Sequence, residues 1–121
     1  MSEPRVAVLV VEDEALVRMG IVDHLEEAGF AVFEAANADL AVALLAVTPQ
    51  IRLLFTDIDM PGSMDGLKLA AAVRKRWPPV KIVVTSGHWR NAPGSLPEGS
   101  VFFAKPYDPD EIASTLRRLA A

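Results

Sequence analysis

Four short apolar runs in this chain end at polar groups that could work together. Residues 5–11 lead into Glu12-Asp13-Glu14, and residues 51–56 end at Asp57, with Asp59 two positions on. Residues 80–85 finish in Thr85, with Ser86 next, and residues 101–103 precede Lys105-Pro106. Carboxylates gathered within a few ångströms repel and raise one another's pKa values unless a cation sits among them. A hard divalent cation such as Mg²⁺ suits such a set, because it takes oxygen ligands and keeps several waters. A carboxylate is also a competent nucleophile toward an activated phosphoryl group. Catalysis of that transfer rests on alignment and on neutralising the equatorial oxygens, which an ammonium and a hydroxyl assist. The competing explanation is that acids at strand ends only cap the helices that follow. Glu14 is read that way; Glu12, Asp13 and Asp57, taken with Lys105, are read as a site.

The elements that must position these groups alternate regularly. Residues 5–11 are apolar and rich in β-branched side chains, the pattern of a strand buried on both faces. Ala15, Leu16, Met19, Val22 and Leu25 recur at helical spacing, and Gly29 closes that helix. Residues 30–35 read as a second strand, and Asn37 caps an Ala/Leu-rich helix that cannot pass Thr48-Pro49. The third strand, residues 51–56, is followed by the turn Met60-Pro61-Gly62-Ser63 and by a helix carrying Leu67, Leu69, Ala70 and Val73. Pro78-Pro79 ends that helix, and residues 80–85 and 101–103 form the last two strands. Asp108-Pro109-Asp110-Glu111 starts the final helix, with Asp as cap, Pro in the first turn and Glu three residues after the cap. The alternation predicts an α/β fold: one doubly wound, five-stranded parallel sheet with helices on both faces, over residues 1–121 as a single domain. In such sheets ligands bind beyond the carboxyl ends of the strands, where all of these polar groups lie.

Composition narrows the partners. The 121 residues are 51% hydrophobic and 23% charged, an ordinary globular balance rather than a disordered one. Cysteine is absent, which excludes disulfides, thiolate metal sites and cysteine nucleophiles. Twelve basic against sixteen acidic residues give a net charge of −4, with no basic stripe of the kind that binds nucleic acid directly. The two basic clusters, Arg74-Lys75-Arg76 and Arg117-Arg118, fall at predicted helix ends, where cations complement the helix dipole. No apolar run reaches the roughly 18 residues of a membrane span, and the first residues lack a signal-peptide layout. A cytoplasmic protein with no membrane partner is expected.

Five fragments together resemble the receiver domain of two-component response regulators: Val10-Val11-Glu12-Asp13-Glu14, Asp57-Ile58-Asp59-Met60-Pro61-Gly62, Asp65-Gly66, Val84-Thr85-Ser86 and Phe102-Phe103-Ala104-Lys105-Pro106. The resemblance implies the flavodoxin-like strand order 2-1-3-4-5. It implies that Asp57 accepts a phosphoryl group from a sensor histidine kinase or phosphotransfer protein. Glu12 and Asp13 would then hold Mg²⁺ with Asp57 and the backbone carbonyl of Asp59. Thr85 would hydrogen-bond the phosphoryl group, Lys105 would pair with it, and Phe102 would be the switch aromatic. Lys105-Pro106 resembles the family's Lys–cis-Pro step. The added charge of about −1.5 to −2 on phosphorylation must find donors. Drawing Thr85 toward it would vacate space for Phe102, a two-state element biased by a local charge change.

Three features depart from the usual receiver. The stretch from Pro61-Gly62 to Asp65-Gly66 holds one extra residue, which a surface loop tolerates at little cost. Position 59 is an acid, which could position a water, repel the phosphoryl group and slow loading, or be a solvated loop acid with no part in the chemistry. Residues 87–99 hold Gly87, Pro93, Gly94, Pro97 and Gly99 where receivers place their fourth helix, so a short or irregular element is expected there. Of the remaining aromatic and titratable residues, His88 is read as an exposed loop residue and Trp89 as a partner-binding aromatic. His24 is assigned to a solvated face, and Tyr107 is placed against the last helix with no chemistry.

The function expected is therefore a phosphorylation-controlled switch, not an enzyme turning over an external substrate. It signals to an unknown downstream protein, with a homodimer through the surface around the fourth helix as a further possibility. Asp57-Ile58-Asp59 also resembles the Asp-x-Asp nucleophile motif of haloacid-dehalogenase-type phosphatases. That motif here follows the third strand, lacks the threonine expected two residues later, and has no room for a cap domain. A pseudo-receiver that only binds partners would not need the acid–hydroxyl–lysine set.

Overall fold

The computed structural model describes residues 5–60, 64–88, 94 and 96–121. Its elements are β1 (Ala7–Val11), α1 (Ala15–Glu27), β2 (Ala31–Ala35), α2 (Ala38–Val47), β3 (Ile51–Asp57), α3 (Gly66–Arg76), β4 (Lys81–Ser86), β5 (Val101–Ala104) and α4 (Pro109–Ala120). All strand pairs are parallel, and the sheet runs β2-β1-β3-β4-β5. This is the doubly wound order that the resemblance implies.

Side chains alternate across a strand, so an all-apolar strand feeds two cores at once. Every residue of β1 is buried. Ala7, Leu9 and Val11, with Leu54 and Val84, face α2 and α3 through Ala38, Ala41, Leu45, Leu69, Ala70 and Val73. Val8 and Val10, with Leu53, Phe55 and Val83, face α1 and α4 through Ile21, Val22, Leu25, Ile112, Ala113 and Leu116. Full burial of a side chain such as Leu9, Leu25 or Leu53 contributes about 1.5–3 kcal/mol.

Local signals set the helix ends. Asn37 accepts from the Leu40 N–H and Asp65 from the Lys68 N–H, each at 2.9 Å. Asp108 caps α4 by accepting from the Asp110 N–H, with Pro109 in the first turn. Gly29, at φ 101°, follows α1 in a conformation that only glycine adopts without strain. The basic clusters do lie in the last turns of α3 and α4. Arg74 donates to the carbonyls of Pro78 and Glu98, and Arg117 donates to the Ala28 carbonyl and lies over the Phe30 ring.

Some expectations are corrected and others are not contradicted. Leu16 and Met19 are exposed, and α1 packs instead through Ile21, Val22 and Leu25. Its first turn begins at the carboxyl edge of the sheet, where little strand surface lies beneath it. Glu14 occupies the N-cap position, but its side chain makes no cap hydrogen bond. His24 is not merely solvated: its Nε2 lies 2.9 Å from Asp110 Oδ1 and links α1 to the start of α4. Tyr107 packs edge-on against Phe55, with ring centroids 5.5 Å apart, in the core shared with α4. Among the described residues no helix lies between β4 and β5. Trp89, the rest of residues 89–93, and Pro61-Gly62-Ser63 lie outside the described residues.

Candidate functional site

The carboxyl ends of β1, β3, β4 and β5 converge on one edge of the sheet, and the expected polar groups meet there. Asp57 ends β3 and is 4% exposed. Its Oδ2 accepts from Lys105 Nζ at 2.9 Å, and its Oδ1 accepts from the Asp59 backbone N–H at 3.0 Å. Lys105 Nζ also reaches Glu12 Oε1 at 3.3 Å. Burial alone would lower the Lys105 pKa, but the hydrogen bond and charge of Asp57, with Glu12 beyond, hold it above its ordinary value. The Lys105–Pro106 peptide bond is cis, as the resemblance implies.

Glu12, Asp13 and Asp57 each offer a carboxylate oxygen, all within 4.8 Å of one another. Burial pushes the Glu12 carboxyl up to about 7. A hydrogen bond with Asp13 and the charge of Asp57 push the same way, against the Glu14 N–H and Lys105. Closely spaced carboxylate oxygens, with Glu12 and Asp57 buried and repelling each other, fit a small hard dication, and the set therefore suits Mg²⁺.

Thr85 is the register partner of Asp57 on β4, so both side chains leave the sheet on the same side. Its residue is 1% exposed, and its Oγ1 has no hydrogen-bond partner. Buried hydroxyls are nearly always paired, so an orphan beside a buried carboxylate marks a place for an absent acceptor. Phe102 on β5 is half-buried, pairs in register with Val84 and packs against the α2–α3 core.

Asp59 differs most from expectation. Its Oδ2 accepts from Ser86 Oγ at 2.7 Å, the Gly87 N–H at 3.1 Å and His88 Nδ1 at 3.0 Å. Burial works to raise the Asp59 carboxyl, but the bonds from His88, Ser86 and Gly87 outweigh it and hold it below the usual range. The same bond holds the exposed His88 above its ordinary value. Arg18 was not foreseen: its Nη1 donates to the Glu12 carbonyl at 2.8 Å while its Nε pairs with Glu34 at 2.9 Å. Arg18 lies six residues past Glu12, on a helix facing the end of β2, and only the folded topology brings these groups together.

The family model for the response regulator receiver domain matches residues 8–117. This chain belongs to that family. The receiver is 34% identical over 118 residues to the sensor kinase CckA of Brucella abortus (strain 2308), covering 93% of this chain and 12% of that protein. It is 32% identical over 122 residues to the hydrogenase transcriptional regulatory protein HoxA of Cupriavidus necator, covering 98% of this chain and 25% of that one. The chain thus spans a quarter or less of these two relatives. Among solved structures, the receiver domain from the hybrid histidine kinase CckA superposes with a TM-score of 0.80 at 28% identity, covering 95% of this chain and 99% of that one. A response regulator receiver protein from Sinorhizobium medicae WSM419 gives 0.82 at 26% identity, with 95% and 94% covered. Among the described residues no helix is long and apolar enough to cross a membrane.

Proposed function

We propose that this receiver accepts a phosphoryl group on Asp57 from the phosphohistidine of a sensor histidine kinase or phosphotransfer protein. The observation that carries the reading is the buried Asp57 carboxylate, bound by Lys105 and set in register with the unpartnered Thr85 hydroxyl. A carboxylate oxygen of Asp57 attacks phosphorus, the phosphorus–nitrogen bond breaks, and the leaving imidazole nitrogen keeps the electron pair. Lys105 offsets charge on the phosphoryl oxygens, and Thr85 donates a hydrogen bond to one of them. Glu12, Asp13 and Asp57, with the backbone carbonyl of Asp59, would hold Mg²⁺, whose charge neutralises the transferring group.

Loading adds charge beside Thr85, and the bond its hydroxyl then makes is passed along β4 to Phe102, the register partner of Val84 on β5. The altered surface around β4 and β5 then changes binding to a downstream protein. The protein carries the phosphoryl group in the cytoplasm and does not turn over an external phosphomonoester. The test is labelling by acetyl phosphate with Mg²⁺, compared between wild type and Asp57→Asn. The reading requires label in the first and none in the second; equal labelling would sink it. Steady hydrolysis of p-nitrophenyl phosphate would instead favour a phosphatase.

A further inference from the structure

The acid at position 59 is engaged with the chain leaving β4, not with the nucleophile's carboxylate. One oxygen, Asp59 Oδ2, takes donors from three consecutive residues: Ser86 Oγ, the Gly87 N–H and His88 Nδ1. Ser86 Oγ accepts in turn from the His88 N–H at 3.0 Å, which closes a ring. Ser86 is fully buried. The backbone repeats the connection on both sides. The Ile58 N–H donates to the Thr85 carbonyl at 2.8 Å, and the Lys105 N–H donates to the Ser86 carbonyl at 2.9 Å. Thr85, whose buried hydroxyl has no partner, therefore sits in a backbone pinned from the loop after β3 and from the end of β5.

A buried hydroxyl left without a partner costs free energy, and a loose segment would shift to satisfy it. It persists where the surroundings over-determine the conformation. Charge-assisted bonds such as those on Asp59 Oδ2 are the stronger kind. Three donors on Oδ2 fix this carboxylate against the chain leaving β4, the segment that carries Thr85.

We propose that Asp59 and Ser86 are positioning residues: their hydrogen-bonded ring ties the exit of β4 to the loop beyond Asp57 and holds the Thr85 hydroxyl where a phosphoryl oxygen arrives. This rests on Asp57 being the phosphoacceptor. The side-chain ring acts on the site through Thr85 and is distinct from the Asp59 backbone, whose N–H donates to Asp57 Oδ1 at 3.0 Å and whose carbonyl any side chain at position 59 retains.

The test uses the full chain with acetyl phosphate and Mg²⁺, reading the labelling rate of Asp57 alongside amide hydrogen exchange. In Asp59→Ala the Gly87 amide should exchange on the order of tenfold faster, and in Ser86→Ala the His88 amide should do the same. Each variant should label on the order of tenfold more slowly, because Thr85 is no longer aligned. Asp59→Asn, which keeps an acceptor oxygen, should recover most of the rate. In a Thr85→Ala background, Asp59→Ala should slow labelling no further. Multiplying effects in that double variant, or Ser86→Ala labelling at the wild-type rate, would overturn the proposal. So would Asp59→Asn behaving like Asp59→Ala, which would mean that Asp59 acts through its charge. Wild-type protein that takes no label removes the phosphoacceptor reading as well. Wild-type protein that labels normally, beside variants that match it, removes this proposal alone.

Discussion

Two glycine-to-alanine substitutions in helices should move this protein in opposite directions. Gly66 opens α3 against the end of β3, and its N–H donates to the Ile58 carbonyl at 3.1 Å. A Cβ there would meet the Asp57 carbonyl oxygen at 2.0 Å, the Ile58 Cα at 2.6 Å and the Asp57 carbonyl carbon at 2.8 Å. All three are backbone atoms of the strand end that carries Asp57, so no side chain can rotate away. The helix start and the strand end must separate by about 1 Å to reach the closest contact real Cβ atoms show. Overpacking of this kind costs about 1–3 kcal/mol. A displacement of about 1 Å at a reacting group costs on the order of 100-fold in rate. A Cβ on Gly20 in α1 would meet nothing within 4 Å, so alanine there should stabilise by about 0.5–1 kcal/mol and leave labelling unchanged. Urea denaturation and acetyl phosphate labelling of the two variants make the assay. A Gly66→Ala protein with wild-type stability and labelling would refute the close approach of α3 to Asp57. A Gly20→Ala protein that loses labelling would refute the separation of the two sites.

Two further predictions concern the acidic end of β1. The folded state raises the Glu12 pKa from 4.5 to about 7, so between those pH values it holds a proton that the unfolded chain has released. Stability contributed at low pH is lost as pH rises through that window, by roughly 3 kcal/mol at most. Urea denaturation with a chelator present should show this fall, and Glu12→Gln should remove it; an unchanged slope in the variant would contradict the assignment. Arg18→Ala removes the donor to the Glu12 carbonyl and the exposed pair with Glu34 and should cost about 0.5–1.5 kcal/mol. The same variant should weaken Mg²⁺ binding measured by titration calorimetry, and unaltered Mg²⁺ affinity would show that Arg18 does not hold the acidic loop in place.

Much of the architecture was legible because parallel strands buried on both faces leave a direct trace. The apolar runs before Glu12, Asp57 and Thr85, with the short one before Lys105, read as such strands, and their ends located the acids, the hydroxyl and the lysine. Caps were equally readable at Asn37 and Asp108, since side chain and backbone donor lie within three residues of each other. What escaped the sequence depends on contacts between distant segments. Leu16 and Met19 fit a helical stripe, yet α1 packs its apolar face through Ile21, Val22 and Leu25. His24 stands among acids on its own helix, but its partner is Asp110 on α4. The acid at position 59 was noticed as a departure. The direction of its side chain, toward Ser86 and His88, follows from pairing β3 with β4, and no local pattern encodes it.

The central claim is that Asp57 takes the phosphoryl group. Peptide-level mass spectrometry after acetyl phosphate treatment tests it most directly, with Mg²⁺ present in one sample and chelated in the other. One added phosphoryl group is expected on the peptide containing Asp57, dependent on Mg²⁺ and absent from Asp57→Asn. Label on another residue, or label on that peptide in the Asp57→Asn protein, would contradict it.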